Sequence, residues 1–399
     1  MLGAGIMGCS TALLLARQGF QVTLFEQASQ PFEGASGWNG GRVHLGYAYS
    51  ADASLRTARQ LINGGMLFRD VMTDLLGGSI AGATSPQSDV FLLHRDSVVP
   101  APAVEAYFRR VSDMVRGHPD VGRYLDDGAR RGATRLAPGE LGRVAGNAEA
   151  ITDGWTIPER AVSTRWVARR IMAALASEPR IEQRMGTPVL AVRPDAAGGL
   201  DGPFHIIVPG GQDGPYNLVI NATWQGRCAL DQGLGLGPPA ELSHRFRYAL
   251  FIHTAQPMAH AGALIGNGPF GEVKAYGDRD FSLTWYPASL AVEGVGVAPP
   301  PVPMLDAGAR QTTVARIIEG VASHIPGVRD LAGAAERVEL RGGWTVAQHG
   351  GSIADPMASL HRRDRFGIRR TGRYISVDTG TFSTAPALAR EIAEMFRSG

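Results

Sequence analysis

Near its start the chain reads Gly3-Ala4-Gly5-Ile6-Met7-Gly8, and an apolar periodic run to Gly19 then leads into Gln21-Val22-Thr23-Leu24-Phe25-Glu26. This order predicts a tight turn, a helix and a strand that ends at an acid. Glycines at this spacing let the backbone approach a pyrophosphate at the helix N-terminus, and the acid binds a ribose hydroxyl. An acid in place of arginine argues against a 2′-phosphate. We therefore predict a dinucleotide site that contains Gly3, Gly5, Ile6, Met7, Gly8, Glu26 and Gln27.

Only Met1 and Leu2 precede the first of these glycines, whereas a unit of this kind has a central strand of several residues at that place. We expect either that the native start lies upstream of Met1 or that the first strand is very short. A short first strand would weaken the cofactor site.

The composition is that of an ordinary globular protein, with 399 residues, 44% of them hydrophobic and 19% charged. This length predicts about two or three domains. A net charge of +2 predicts no affinity for nucleic acid or for an anionic membrane surface. No run approaches the ~18 apolar residues of a membrane helix, so we expect no integral membrane segment. Two cysteines, Cys9 and Cys228, are too few for a disulfide framework and have no metal-type spacing, so we expect a cytoplasmic protein with no metal site.

The helix and strand patterns divide the chain into interleaved parts. Residues 217–221 form a short apolar run of the kind found in buried parallel strands, and Asp89 to His94 alternates as a strand of another sheet would. Four strand-like segments between 246 and 286 indicate an antiparallel sheet. We predict an α/β fold with a discontinuous Rossmann-like dinucleotide-binding domain and an interleaved α+β substrate-binding domain built on an antiparallel sheet. The first domain comprises residues 1–78, 152–226 and 336–399, and the second comprises 79–151 and 227–335.

A second glycine-rich loop follows Glu26 and reads Gly34-Ala35-Ser36-Gly37-Trp38-Asn39-Gly40-Gly41-Arg42-Val43-His44-Leu45-Gly46. It resembles the second flavin motif of the D-amino-acid oxidase superfamily, which includes glycine oxidase, sarcosine oxidase and D-amino-acid dehydrogenase. In that superfamily the Ser-x-x-Asn-x-Gly loop carries the diphosphate and ribityl chain towards the flavin ring. The segments 219–224, 372–386 and Thr156-Ile157-Pro158-Glu159 are similar to superfamily segments in the same order. The resemblance covers most of the chain and implies a glutathione-reductase-type flavin fold.

The cofactor that the resemblance implies is noncovalent FAD. No cysteine follows Cys228, so the cysteinyl link of sarcosine oxidases is excluded, while a histidyl link through His44 stays open as an alternative. Gly233-Leu234-Gly235-Leu236-Gly237 follows no predicted strand and has the wrong spacing for a second dinucleotide fingerprint, so we expect no pyridine-nucleotide domain. The resemblance implies further FAD contacts at Ser36, Asn39, Gly40, Gly41, Arg42, Val189, Ala222, Thr223, Trp224, Thr345, Gly380, Thr381, Phe382 and Ser383.

In relatives of this kind a sheet of the second domain covers the flavin, and strands at 246–254 and 281–286 are expected to do so here. Alternation places Arg245 and Arg247 on one face of the first strand and Phe246 and Tyr248 on the other, but it leaves open which face of the second strand lines the pocket. We predict substrate contacts at Tyr47, Arg245, Arg247, Tyr248, Tyr276, Trp285 and Tyr286. The predicted catalytic residues are Arg42, His44, Lys274 and Tyr286.

Lys274 is the only lysine of the chain. Relatives with oxidase activity often hold a cation near the flavin to stabilise developing superoxide, and Lys274 is the candidate for this role. The alternative is a solvated strand residue.

One departure from the family concerns the carboxylate anchor. Glycine oxidase and its kin have Gly-x-Arg-Pro where this chain reads Gly342-Gly343-Trp344-Thr345-Val346, so Thr345 stands in place of the family arginine. We expect the substrate carboxylate to be held elsewhere or to be absent. Arg341 and His361-Arg362-Arg363 flank this segment and are either anchors or solvated charges. A larger or secondary amine then becomes a better substrate candidate than a simple D-amino acid.

The predicted function is an FAD-dependent oxidoreductase that oxidises a C–N bond of an amino acid or related amine to an imine, with oxygen as acceptor and hydrogen peroxide as product. One alternative is a dehydrogenase that passes its electrons to a quinone or a protein. Two further alternatives are a flavin hydroxylase and a flavin fold that has lost catalysis and serves as a binding module. The partners expected are a small-molecule substrate and the electron acceptor, and the oligomeric state stays open.

Overall fold

The structure is a computed structural model that describes residues 1–397. The α-helices in this range are α1 (Ile6–Arg17), α2 (Arg56–Leu76), α3 (Ala101–Arg116), α4 (Pro138–Val144), α5 (Thr164–Ala176), α6 (Arg227–Gly233), α7 (Tyr286–Ser289), α8 (Ala307–Ala322), α9 (Val328–Gly333) and α10 (Ala385–Glu394). The strands are β1 (Val22–Phe25), β2 (Arg42–Val43), β3 (Asp89–His94), β4 (Thr134–Arg135), β5 (Ile151–Ile157), β6 (Arg160–Ala161), β7 (Ile181–Arg184), β8 (Ala191–Pro194), β9 (Phe204–Val208), β10 (Gly211–Tyr216), β11 (Val219–Asn221), β12 (Ser243–Thr254), β13 (Ala263–Gly266), β14 (Gly271–Ala275), β15 (Asp280–Trp285), β16 (Leu290–Val295), β17 (Ala335–Ala347), β18 (Gly367–Thr371) and β19 (Tyr374–Asp378).

A parallel sheet is built around the first residues of the chain. β1 pairs in parallel with β7, and β11 pairs in parallel with β19. Leu2 joins these two pairs, because it forms parallel bridges to both Phe25 and Asn221. Its N–H donates to Ile220 O at 2.9 Å, and the Gly3 N–H donates to Phe25 O at 2.8 Å. Residues 1–3 therefore lie at the place of the central strand in this sheet.

Helices and a small sheet cover the two faces of this parallel sheet. α1 packs against α10 and α5, and nearly all of its side chains are buried. A helix that is apolar on all sides is stable only when it is enclosed in this way. On the other face, Leu2 and Phe25 pack against Phe204 and Ile206 of the antiparallel sheet β8–β9–β10. Ser163 caps α5, since its Oγ accepts a hydrogen bond from the Trp166 N–H at 3.3 Å.

The second unit is a large mixed sheet with the strand order β16–β12–β15–β14–β13–β3–β5–β4, and β17 also pairs with β12. Its pairs are antiparallel except for β13 with β3. Helices α8 and α9 pack on one face, where Ile317, Val321 and Leu331 meet Leu250 and Leu283. The opposite face is directed at the parallel sheet. The predicted Rossmann-like fold with an interleaved α+β unit is confirmed, with one parallel pair in the sheet that was expected to be antiparallel.

The strand predictions hold for the central strands of the large sheet, but several other strands were missed, and β17 is the longest of them. The segments predicted between 246 and 286 correspond to β12, β13, β14 and β15. β17 was not predicted, because its sequence, AERVELRGGWTVA, lacks a clear alternation. The domain division stays a proposal. Its boundaries at 152 and 336 fall inside β5 and β17, which are both hydrogen-bonded in the large sheet.

Candidate functional site

A cavity of about 1090 Å³ lies between the two units. Pockets for a single drug-sized ligand are roughly 300–1,000 Å³, so this space suits a dinucleotide together with a small substrate. The first turn of α1, the loop 34–41 and the end of β11 line one part of the cavity. The face of the large sheet that is not covered by α8 and α9 lines the other part of the cavity.

The start of α1 is shaped for close approach of a ligand to the backbone. Gly3 has a φ of +89°, and a Cβ there would stand 2.8 Å from Ala222 O. A Cβ on Gly5 would stand 2.8 Å from Ser36 Oγ, the atom that accepts a hydrogen bond from the Ile6 N–H at 3.0 Å. The first N–H groups of a helix have no intrahelical acceptor and carry its positive dipole end. This end of the cavity is therefore suited to an anion such as a pyrophosphate.

Glu26 is fixed at the edge of the cavity by backbone donors. Its Oε2 accepts from the Ala4 N–H at 2.7 Å, and its Oε1 accepts from the Ala28 N–H at 3.0 Å. A carboxylate has further lone pairs for a ribose hydroxyl. The side chain thus joins the glycine turn to β1 and keeps an acceptor available beside the cavity.

The loop 34–41 is held by its own side chains. Asn39 Nδ2 donates to Ala35 O at 2.8 Å, and Asn39 Oδ1 accepts from the Gly41 N–H at 2.8 Å. Thr164 Oγ1 donates to Gly37 O at 3.0 Å and ties the loop to α5. The Ser-x-x-Asn pattern therefore has a structural reason: the serine meets α1, and the asparagine closes the loop on itself.

A buried polar network fixes the carboxyl ends of β11 and β19. Asn221 Nδ2 donates to Asp231 Oδ1 at 3.0 Å and to Tyr374 Oη at 2.8 Å. Arg227 forms ion pairs with Asp231 at 3.3 Å and with Asp378 at 3.1 Å. Asp378 also accepts from the Gly380 N–H at 2.9 Å, which sets the turn that brings the predicted residues 380–382 to the cavity wall.

Below the loop lies a buried ion cluster, which we define as Arg42, Asp89, Glu159, Glu272 and Lys274. Arg42 contacts all three carboxylates, at 2.6 Å from Asp89, 3.2 Å from Glu159 and 3.0 Å from Glu272. Lys274 pairs with Asp89 and lies 3.5 Å from Glu272. The cluster joins β2, which directly follows the loop, to β3, to β14 and to the turn before β6, so it fixes the large sheet against the nucleotide-binding unit.

The charges of this cluster shift the pKa values of its carboxyls. Burial acts to raise the pKa of Glu159, but His44, Arg42 and the Leu45 N–H outweigh it and lower this pKa to about 2. Burial likewise opposes ionisation of Glu272, but Lys274 and Arg42 hold its pKa at about 2. Both side chains are therefore carboxylates at neutral pH. His44 Nδ1 stands 3.8 Å from Glu159 Oε1, and His44 also lines the cavity.

Lys274 does not lie where it was predicted. Its side chain is fully buried, and it is not among the described residues that line the cavity. A Cβ on Gly40 would stand 3.7 Å from Lys274 Cγ, so the lysine lies underneath the loop. The structure therefore places Lys274 neither at the cavity wall, where it was predicted, nor in solvent, which was the alternative.

Alternation along β12 is confirmed at the other end of the cavity. Arg245 and Arg247 line it, whereas Phe246 and Tyr248 belong to the core on the opposite face. On β15 the face that lines the cavity is the one that carries Thr284. Tyr286, just beyond the end of that strand, also lines the cavity. The Arg247 guanidinium stands 5.2 Å from the centre of the Tyr286 ring.

Several predicted residues lie outside the cavity lining of the described chain. Tyr47 Oη bonds Ser112 Oγ at 3.0 Å and Tyr276 Oη bonds Ser282 Oγ at 2.9 Å, both in buried positions. Trp285 stacks on His324 at 5.1 Å on the helix-covered face. Direct contact is thus corrected for these three and for Tyr248. Gly8 packs against Gly3 O, and Ser383 Oγ accepts from the His44 N–H at 3.3 Å, so both support the site from behind. The remaining predicted residues line the cavity: Gly3, Gly5, Ile6, Met7, Glu26, Gln27, Ser36, Asn39, Gly40, Gly41, Arg42, His44, Val189, Ala222, Thr223, Trp224, Arg245, Arg247, Tyr286, Thr345, Gly380, Thr381 and Phe382.

Sequence reasoning missed the acids of the ion cluster and left Arg363 undecided. Arg363 lines the cavity and donates to Val346 O at 2.7 Å. Glu159 stands in the Thr156–Glu159 segment already noted, but Asp89 and Glu272 carry no local signal that they meet Arg42. Among residues 1–397 no group of three His, Cys, Asp or Glu side chains is arranged to hold a metal ion. No helix in that range is long and apolar enough to cross a membrane.

Comparisons with known proteins agree with this geometry. The sequence model of the family described as FAD dependent oxidoreductase matches residues 2–395. D-amino acid dehydrogenase 2 of Ralstonia nicotianae is 44% identical over 70 residues, a segment that covers 18% of this chain and only 16% of that protein. Glycine oxidase from Geobacillus kaustophilus superposes with a TM-score of 0.66 at 14% identity, over 100% of this chain and 94% of that chain. Iminodiacetate oxidase from Chelativorans sp. BNC1 gives a TM-score of 0.65 at 16% identity, over 98% and 93% of the two chains. At these identities the two structures are evidence for the fold.

Proposed function

This chain belongs to the FAD-dependent oxidoreductase family, and on that premise we propose that it oxidises a carbon–nitrogen bond of an amino acid or related amine to an imine. The observation that carries the proposal is the cavity itself. Its one end has the helix N-terminus, Ser36 and Glu26 for a dinucleotide, and its other end has Arg245, Arg247 and Tyr286 for a small anionic substrate. One continuous space thus joins a cofactor site to a substrate site.

The glycine turn, Ser36 and Glu26 would hold FAD, which would supply an acceptor for the hydride on the carbon next to the substrate nitrogen. That carbon loses its hydrogen with the bonding electron pair, the nitrogen loses a proton, and a C=N bond forms. Water then adds to the imine, which gives a carbonyl compound and releases ammonia or an amine. Removal of one proton from the substrate ammonium is sufficient to begin, so no side-chain triad is required.

The residues of this chain act by binding and orientation. The arginines hold a substrate carboxylate, which fixes the direction of the reacting C–H bond, and Tyr286 forms part of the wall beside them. The buried ion cluster is positioning machinery, because it holds the loop 34–41 against the sheet that carries the arginines.

Noncovalent FAD binding is part of the proposal. Cys228 is buried with Leu242 and Val346 and is not one of the described cavity residues, so it offers no thiol to the flavin. A cytoplasmic location is proposed on the basis that both cysteines are free and buried. The acceptor is proposed to be dioxygen, which takes two electrons and two protons to become hydrogen peroxide.

A dehydrogenase is the second candidate, and the local identity to D-amino acid dehydrogenase 2 favours it. In that case the electrons pass to a quinone or a protein. Hydrogen peroxide formed in equal amount to substrate consumed supports the oxidase, whereas turnover only with an added quinone or dye supports the dehydrogenase.

The test begins with the visible spectrum of the purified protein before and after acid precipitation. We expect oxidised flavin bands that move to the supernatant and that bleach when one class of amine is added without air. Flavin that stays in the pellet would overturn noncovalent binding. A colourless protein that takes up no FAD, or a flavin that no amine or amino acid reduces, would overturn the proposed activity.

A further inference from the structure

Three arginines line the substrate end of the cavity: Arg245, Arg247 and Arg363. Arg245 is 6% exposed. The Nε atoms of Arg245 and Arg247 are buried and have no hydrogen-bond partner in the described part of the chain. Within residues 1–397 no carboxylate oxygen lies within 4 Å of any of the three guanidinium groups, and the Arg363 guanidinium donates to the carbonyl of Val346.

The other two buried arginines show what is unusual here. Arg42 has three carboxylate neighbours, and Arg227 has two. Arginine does not lose its proton at accessible pH, so it cannot escape burial by becoming neutral. A buried charge without a counter-ion costs free energy. Arg245 is buried and Arg247 and Arg363 are half-buried, so three cations without a counter-ion at one cavity wall indicate that the missing negative charge comes from a ligand.

The pKa values of these arginines are consistent with three positive charges that lie close together. Burial lowers the pKa of Arg363 to about 10, and repulsion by Arg245 and Arg247 adds to this. Burial also lowers the pKa of Arg247, with Arg245 acting in the same direction. Glu272 also lines the cavity and opposes the shift at Arg247, but its carboxylate is engaged by Arg42 at 3.0 Å and by Lys274 at 3.5 Å.

The strand register fixes the spacing of two of the three cations. Arg245 and Arg247 are two residues apart on one face of β12, which separates their Cα atoms by roughly 7 Å. They lie opposite Thr345 and Gly343 of β17, and a Cβ on Gly343 would stand 2.7 Å from Ala35 Cα in the loop 34–41. The arginine pair therefore faces the cavity next to that loop.

We propose that the substrate is an amine with two carboxylate groups, and that Arg245, Arg247 and Arg363 together bind this dianion. That the substrate is an amine rests on the proposed function. That it carries two negative charges is inferred from the three arginines alone. A single carboxylate neutralises one of the three positive charges and leaves two. Two carboxylates can each form a bidentate pair with a guanidinium group and leave a net charge of one on the three arginines. The absence of an arginine at position 345 fits the same arrangement, since the positive charge is on the neighbouring strand.

The test uses the FAD-loaded protein and two probes that contain no amine, succinate and butyrate. They have the same number of carbons, and they differ in carrying two carboxylates or one. Dissociation constants are measured by calorimetry and by the perturbation of the flavin absorbance. We expect succinate to bind at least tenfold more tightly than butyrate. We expect Arg245→Gln to abolish most of that preference, and Arg337→Gln, an exposed arginine on β17, to leave it unchanged. Equal affinity for the two probes, or an Arg245→Gln variant with unchanged succinate affinity, overturns the inference.

Thermal unfolding separates a binding role from a structural one. Removal of an unpaired buried charge should leave the melting temperature of the ligand-free Arg245→Gln variant equal or higher, while the stabilisation by succinate is lost. Arg245→Lys should recover part of that stabilisation. If the ligand-free Arg245→Gln variant has a much lower melting temperature than the parent protein, Arg245 has a structural role and the inference that it is an unpaired anion-binding residue is contradicted.

The two proposals can fail separately. If succinate binds selectively through Arg245 but no amine reduces the flavin, the proposed function fails and the dianion site stands. If a monocarboxylate amine is oxidised with the same kcat/KM by the parent protein and by Arg245→Gln, the proposed function stands and the dianion site fails.

Discussion

Arg245 and Thr345 stand directly opposite each other on the antiparallel strands β12 and β17, and both line the cavity. Directly opposite residues have Cβ atoms about 4.5–5.5 Å apart, so a cation can move from one strand to the other and still reach the same space. This relationship explains how the chain keeps a positive charge at a wall where position 345 carries a threonine.

An exchange of these two residues tests that explanation. We expect Arg245→Thr to weaken succinate binding by tenfold or more, and the double variant Arg245→Thr/Thr345→Arg to recover at least part of the loss, because the charge returns from the facing strand. The measurement is the dissociation constant of succinate on the FAD-loaded protein. Thr371→Arg on β18 in the Arg245→Thr background is the control, and recovery by that variant as well would show a general charge effect.

Glu26 is expected to be necessary for tight FAD binding. Glu26→Gln replaces one of two acceptor oxygens that bind the Ala4 and Ala28 N–H groups. Loss of a hydrogen bond to a charged group costs about 1.5–3 kcal/mol, so the FAD dissociation constant should rise by about tenfold or more. Fluorescence titration of the apoprotein with FAD measures this. Glu182→Gln on the neighbouring strand β7, where the side chain is 58% exposed, should change nothing. Equal affinities in both variants would contradict the role of Glu26.

Lys274 is expected to matter for stability through the buried ion cluster. Lys274→Met removes one partner of Asp89 and Glu272 and leaves their charges less compensated in a buried place. Breaking a buried ion pair in this way costs about 3–5 kcal/mol of unfolding free energy. Urea denaturation measures the change.

The matched control removes an exposed arginine. Arg329→Met breaks a pair with Glu319 in which both side chains are about 60% exposed, and such pairs contribute little to stability because water and salt screen them. The double variant Lys274→Met/Asp89→Asn should lose less than the sum of its two single variants. A cost for Lys274→Met as small as that of the surface control would show that Arg42 alone satisfies the cluster.

Acid should destabilise the protein through Glu159 and Glu272. The pKa of each is lowered from the ordinary 4.5 to about 2 in the folded protein, despite burial, by the neighbouring cations. A lowered folded pKa contributes stability that is fully present above the unfolded value of 4.5 and is lost as the pH falls towards 2. The unfolding free energy in urea should therefore decrease between pH 5 and pH 3. The Glu159→Gln variant should show a flatter dependence, and a slope equal to that of the parent would rule out Glu159 as a source.

The amino-acid sequence alone was sufficient for the parts of the site that are local. The glycine turn, Glu26 and the loop 34–41 lie within 41 residues, and their chemistry depends on spacings that the chain itself sets. Alternation along β12 also placed Arg245 and Arg247 on one face, because successive side chains of a strand point in opposite directions. These features needed no knowledge of neighbouring elements.

The tertiary structure decided which distant residues meet. The ion cluster brings together residues 42, 89, 159, 272 and 274 from four separate segments of the chain, and it makes the single lysine a buried partner of Asp89. Arg363 reaches the cavity from a segment without regular structure, and β17 pairs with β12 across nearly a hundred residues of sequence. Local periodicity tells which way a side chain points relative to its own strand or helix. It does not tell what that side chain will touch, since the partner is chosen by the packing of the whole chain.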